Sequence, residues 1–334
     1  MTEIDKLYEA LSKIAETANA VVSHRHDVIS HRHGHGRLGD GDGHDRGEMP
    51  SCSIKMLPER LRVEAAQTAI GLNPANGVGF ASITGASRAF GIEPQRIAVM
   101  VQKYWGPQQR QLTVSFMEQP AEELRKRILL HMNAWSSRCG ISFIETGGVG
   151  QVRISLRGSG YWSYLGTDIR HIPQNRPTMN LQGFSMSTPE REYHRVVRHE
   201  TGHTLGFPHE HMRSELVARL DPQKAYAYFW ETQGWDQTTV DQQVLTPLDQ
   251  ASIMGTPPDE TSIMCYQLPG EITKDGRPIE GGLDINQTDY GFAARIYPKP
   301  SAPHQQADTY QQAGPDADDW HENEDVDVAS LAPA

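Results

Sequence analysis

The run HETGHTLGFPHEH, from His199 to His211, constrains this chain more than any other feature. His199 and His203 stand four residues apart, so on a helix both imidazoles leave one face at the spacing two metal ligands need. Glu200, one residue on, lies about 100° around that helix, where a carboxylate reaches a metal-bound water without being a ligand itself. Gly206 follows the second histidine and can take the left-handed conformation that ends a helix and turns the chain. The turn returns His209 as a third ligand. Three histidines leave the fourth position of a tetrahedral zinc open for water, which is the catalytic arrangement. The competing reading makes these histidines surface polar residues on a capped helix. The added glycine and third histidine at fixed offsets argue against it.

The surroundings give the helix a fold. Thr188-Pro189-Glu190 reads as its start, with a capping hydroxyl, proline at the first position and acid in the first turn. Upstream, Leu112, Val114 and Phe116 alternate with Thr113 and Ser115 as a half-buried strand does. Leu124, Ile128, Met132 and Trp135 line one face of a helix over 121–138. Further strands are expected at Ile141–Ile144, Val152–Leu156 and Thr178–Leu181. Asp221-Pro222 opens a helix through Trp230, and a last helix covers Thr288–Tyr297. Strands, then a helix, then long helical and irregular stretches make an α+β body.

Downstream, Ser262 to Tyr266 reads SIMCY. An extended HExxHxxGxxH site followed by a methionine turn resembles the metzincin zinc peptidases. Glu210-His211 after the third histidine, and a tyrosine two residues past the methionine, resemble the astacin branch in a divergent, microbial-type form. The resemblance covers roughly residues 100–298. It implies a zincin-like domain with a twisted, mostly parallel sheet, an active-site helix and a Met-turn. It implies one zinc held by His199, His203 and His209, with Met264 as apolar floor. Tyr266 would be a labile extra ligand that swings away to stabilise the oxyanion. The reaction implied is hydrolysis of peptide bonds by zinc-activated water, with Glu200 as general base that later protonates the leaving amine. The chain departs from astacins in lacking their disulfide cysteines, in reading Met212-Arg213-Ser214-Glu215 after the site, and in having no clear maturation site. Glu210 is therefore given no catalytic role. No calcium-binding Gly-Asp repeats of the serralysin kind are present.

Composition bounds the rest. Of 334 residues, 37% are apolar and 7% aromatic, so part of the chain is expected to lie outside a packed body. Residues 1–95 read as an N-terminal extension: an amphipathic helix, a flexible segment holding six of the fifteen histidines, a helical stretch near Pro58–Ile70 and a Gly-rich loop. Residues 96–299 form the peptidase domain. Residues 300–334 form an acidic disordered tail, whose eight acidic side chains supply most of the net charge of −11. An acidic chain does not suit nucleic acid, and no apolar run suits a membrane. The expected partner is a peptide or protein substrate, and the expected state a monomer. The N-terminus lacks a classical signal peptide, so a cytoplasmic life or non-classical export is expected.

The weaker signals leave alternatives open. Gly160–Asp168 or Thr178–Leu181 can supply the sheet edge that pairs with an extended substrate. The histidine segment (His24, His26, His31, His33, His35, His44) can hold metal loosely, with a solvated linker the favoured reading. A prosegment could cap the zinc through Asp40 or Asp42, as astacin prosegments do. It could also do so through the thiolate of Cys52, as in matrixin zymogens. The Cys52 reading is disfavoured because PSCSIKMLP does not match the matrixin switch. Cys139 and Cys265 read as buried free thiols. One rival to an active peptidase is a catalytically weak or autoinhibited zinc-binding module of the same fold. A second is a metal-sequestering protein built on the histidine segment.

Overall fold

The computed structural model describes residues 52–77, 101–248 and 257–300. The expected helix over 1–22, the histidine segment with Asp40 and Asp42, the Gly-rich loop and the acidic tail lie outside the described residues.

Six strands form one sheet: β1 (Cys52–Lys55), β2 (Arg110–Phe116), β3 (Ile141–Glu145), β4 (Val152–Ser155), β5 (Tyr161–Tyr164) and β6 (Met179–Leu181), in the order β1-β5-β6-β4-β2-β3. All neighbours are parallel except β5 and β6. β4 lies inside the sheet and is buried at every position, as a central parallel strand is when both faces are covered. β2 keeps the alternation its sequence predicts, burying Leu112, Val114 and Phe116.

The helix Glu122–Met132 buries Leu124, Ile128 and Met132 in the main core. Trp135, expected to extend that helix, sits in a separate 3-10 turn, Trp135–Ser137. The helix from Glu190 to Thr204 also enters the core. Its middle, Tyr193–Val197, is a π turn, and Arg198–Thr204 is α-helical. The expected threonine cap is not made. The Thr188 hydroxyl accepts from the Ser185 N–H instead, and Pro189 holds the N-cap position without a side-chain bond. The Asp221 cap is made, its carboxylate accepting from the N–H groups of Gln223 and Lys224. Helix Gln287–Ile296 opens with a capping box between Asn286 and Asp289.

A second apolar cluster joins Leu216, Leu220, Phe229, Val240 and Val244 to Cys265, Tyr266 and Cys52. β1 touches both halves. It adds to the edge strand β5 on one side and packs into this second cluster on the other. Part of the expected N-terminal extension is thus stitched to the body. The helix Glu59–Leu72 buries Ala65, Ala66 and Ile70, and Asn76 exchanges hydrogen bonds with both the N–H and the C=O of Tyr104.

Candidate metal centre and cleft

The active-site helix carries His199, Glu200 and His203 into the interior, all buried. Two tryptophans fix its axis. Trp135 Nε1 donates to the Arg198 carbonyl at 2.8 Å, and Trp105 Nε1 donates to that of Thr204 at 2.9 Å. The helix ends at Gly206, with φ of +98°, a conformation that costs a residue with a Cβ. Phe207 N–H returns to the Gly202 carbonyl at 2.9 Å. The reversal brings the His209 ring to 4.6 Å from that of His203 and 5.4 Å from that of His199.

Backbone carbonyls orient two of the three rings. His199 Nδ1 lies 2.6 Å from the Ile263 carbonyl, and His203 Nδ1 lies 2.8 Å from that of Phe207. A carbonyl only accepts, so each Nδ1 carries the proton and each Nε2 presents a lone pair. His199 Nε2 has no hydrogen-bond partner although buried. His203 Nε2 faces His209 Nε2 at 3.0 Å. Burial pushes the His199 pKa down to about 4 and holds those of His203 and His209 well below the ordinary imidazole range. Three neutral imidazoles with ligand atoms within 4.8 Å of one another are a donor set that suits zinc. Orphaned buried nitrogens are costly unless a cation takes their lone pairs. The residues present therefore fit the metal.

Glu200 is fully buried, and neither carboxylate oxygen has a hydrogen-bond partner. Burial pushes its pKa up to about 8, against the opposing pull of Cys52 and Arg195. Met264 packs under the active-site helix. A Cβ on Gly202, between the two helical histidines, would collide with Met264 Sδ. The Met-turn is fixed by Asp289 and Ser262, and its next carbonyl, of Met264, accepts from Glu210 N–H at 2.9 Å. Tyr266 stacks on His199 and His211 and lies 4.3 Å from the His209 ring, its buried hydroxyl unpaired. Burial, then the charges of Cys52 and Glu200, hold its pKa well above the usual phenol range. It enters the site as a proton donor. Glu210 pairs instead with Arg213 at 3.1 Å and accepts from Asp259 N–H.

The disfavoured candidate, Cys52, is the one the structure brings to this centre. Its Sγ, a His199 ring nitrogen and a Glu200 oxygen all lie within 4.8 Å of one another. The reason is register: β1 pairs with β5 so that Cys52 stands opposite Tyr161, and β5 is tied to the active-site helix by Ser163 Oγ and Thr204 Oγ1 at 3.1 Å. Of the two proposed edge segments, β5 carries the added strand, while β6 lies between β5 and β4. Cys139 and Cys265 are buried and free, as expected.

Sequence reasoning missed Gly202, Asp289 and Gln243. The Asn286-x-x-Asp289 capping pattern was the available signal for Asp289. The other two have no local signature.

The profile of the astacin peptidase family matches residues 98–272. The zinc metalloproteinase nas-27 of Caenorhabditis elegans is 28% identical over 116 residues, which cover 33% of this chain and 25% of that protein. The chain thus spans about a quarter of the length of this relative. Among solved structures, that of myroilysin is 30% identical and superposes with a TM-score of 0.56, covering 59% of this chain and 96% of the other.

Proposed function

The chain belongs to the astacin family of peptidases, and from that premise we propose that it is a zinc-dependent endopeptidase in a latent form. The observation that carries the reading is the convergence of three neutral, buried imidazoles beside a buried carboxylate and a buried phenol. His199, His203 and His209 would hold a zinc ion, which would supply the Lewis acidity needed at the scissile carbonyl and at the attacking water. Glu200 takes the proton of the attacking water and passes it to the leaving amine. The Tyr266 hydroxyl donates to the oxygen on which negative charge develops. The β5 edge aligns the substrate main chain by strand addition.

The contacts around β1 favour latency over a module without chemistry. The strand fills the edge that a substrate needs, and its thiol stands beside His199 and Glu200. Glu200, which a pure binding module has no use for, is in place.

The test is zinc stoichiometry together with cleavage of casein, on the full chain before and after limited proteolysis between residues 78 and 100, and on Glu200→Ala. One zinc per chain with cleavage that needs Glu200 is expected. Full activity in Glu200→Ala would overturn the mechanism. Several metal equivalents, lost on removing residues 1–50, would favour the sequestering protein.

A further inference from the structure

β1 is gripped from two sides, and one grip is a single side chain. Ile54 stands opposite Ser163 in the β1–β5 ladder. Alternate residues of a parallel strand offer their polar groups to opposite edges, and those of Ile54 go to Gln243. Its N–H donates to Gln243 Oε1 at 3.1 Å, and Gln243 Nε2 donates to its carbonyl at 3.1 Å. A primary amide in this pose reads the main chain as a neighbouring strand would, without regard to the side chain.

Gln243 is held for the purpose. It is buried and lies in a π turn, Asp241–Leu245, that follows the helix Gln237–Val240. Such turns recur at functional sites. His211 Nε2 donates to the Gln243 carbonyl at 2.9 Å, while His211 Nδ1 accepts from Tyr266 N–H at 3.4 Å. The wall that carries the amide is therefore linked to the tyrosine of the centre.

We propose that Gln243 is a substrate-binding residue, the wall facing β5, which grips one residue of an extended substrate by its N–H and C=O. This inference rests on the peptidase reading. In the latent chain Ile54 fills the same grip. The substrate class is an unfolded or extended segment with broad side-chain tolerance at the gripped position. Proline is excluded there, because it has no N–H to give.

The test uses two full-chain backgrounds. In the otherwise unaltered chain, Gln243→Ala loosens β1, so basal peptide cleavage rises a few-fold and the Ile54 amide exchanges faster. In a chain opened by Cys52→Ser with Ile54→Pro, the same substitution instead raises KM about tenfold with little change in kcat, the loss of two hydrogen bonds. A series of one peptide substrate, each N–H replaced in turn by an ester oxygen, locates the grip. One position costs roughly threefold to tenfold in the opened chain, and that cost disappears in Gln243→Ala. Gln243→Glu, which keeps the acceptor, retains the ester penalty and serves if the alanine variant does not fold. Reduced activity in both backgrounds with a flat ester profile overturns the inference and leaves the peptidase reading standing. No cleavage by any variant sinks the peptidase reading, and this inference with it.

Discussion

The Ser262 hydroxyl donates to the Asp289 carboxylate at 2.6 Å across 27 residues of sequence. The same carboxylate accepts from Ile263 N–H at 2.9 Å and from Asn286 N–H at 3.0 Å. One buried side chain of the last helix thus fixes the turn whose Ile263 carbonyl orients His199.

Asp289→Ala should therefore do two things at once. It strands two buried donors and one half-buried one, a loss of about 2–4 kcal/mol, visible in chemical unfolding. It also frees the Met-turn, so zinc leaves to a chelator faster than from the unaltered chain. Loss of stability without faster zinc release would show that the turn holds its shape without Asp289.

Gly202→Ala tests the methionine floor. The new Cβ meets Met264 Sδ and comes within 3.3 Å of Trp135 Cζ2. Overpacking of this kind costs about 1–3 kcal/mol. Truncating the floor by Met264→Ala in the same chain should recover part of the loss, and a strictly additive pair would refute the contact.

These two residues mark where the sequence stopped being legible. The His199, His203 and His209 set was readable because the helix period and one glycine fix it locally. β2 and the Asp221 cap were readable for the same reason. β1 was not: CSIK is four residues without strong alternation, and it is a strand only because the β5 edge pairs with it. The sequence around Cys52 therefore carries no sign of the metal centre, whereas its place beside His199 is set by register. The Thr188 cap failed because the Ser185 N–H competed for the hydroxyl. The π turns leave no pattern that distinguishes them from α-helix.

Tyr266→Phe should lower kcat by about 10²–10³ with KM little changed, if the hydroxyl acts only as charge develops. Because that hydroxyl is buried and makes no hydrogen bond, removing it should not lower the unfolding temperature. Steady-state kinetics and a thermal melt on the same preparation check both. A destabilised variant would mean that the hydroxyl has a structural partner.

The Asp284 carboxylate gives a pH signature away from the centre. Burial raises its pKa, but hydrogen bonds from His194 and Ile285 N–H and the charge of Arg198 outweigh this and hold it below the usual range. A depressed acid contributes stability above its unfolded pKa, about 3.9, and loses it as pH falls through the folded value. The melting-temperature advantage of the unaltered chain over Asp284→Asn should thus be full at about pH 6 and shrink below about pH 4. An advantage that does not change with pH would refute the assignment.

The last prediction concerns the thiol. Burial, and after it the Glu200 charge, hold Cys52 well above its ordinary pKa, so it stays a thiol unless a cation beside it draws off the proton. If it caps the metal, the cobalt-substituted full chain should show a thiolate-to-cobalt charge-transfer band, and Cys52→Ser should abolish that band while keeping one cobalt per chain. The same variant should cleave peptides faster than the unaltered chain, because β1 then loses its tie to the metal and keeps the β5 pairing and the Gln243 grip. A thiol-alkylating reagent should label Cys52 slowly in the zinc-loaded chain and faster after chelation, since the metal withholds the nucleophile. A cobalt spectrum identical in the two chains would leave β1 as a steric plug and remove the thiol from the latency mechanism.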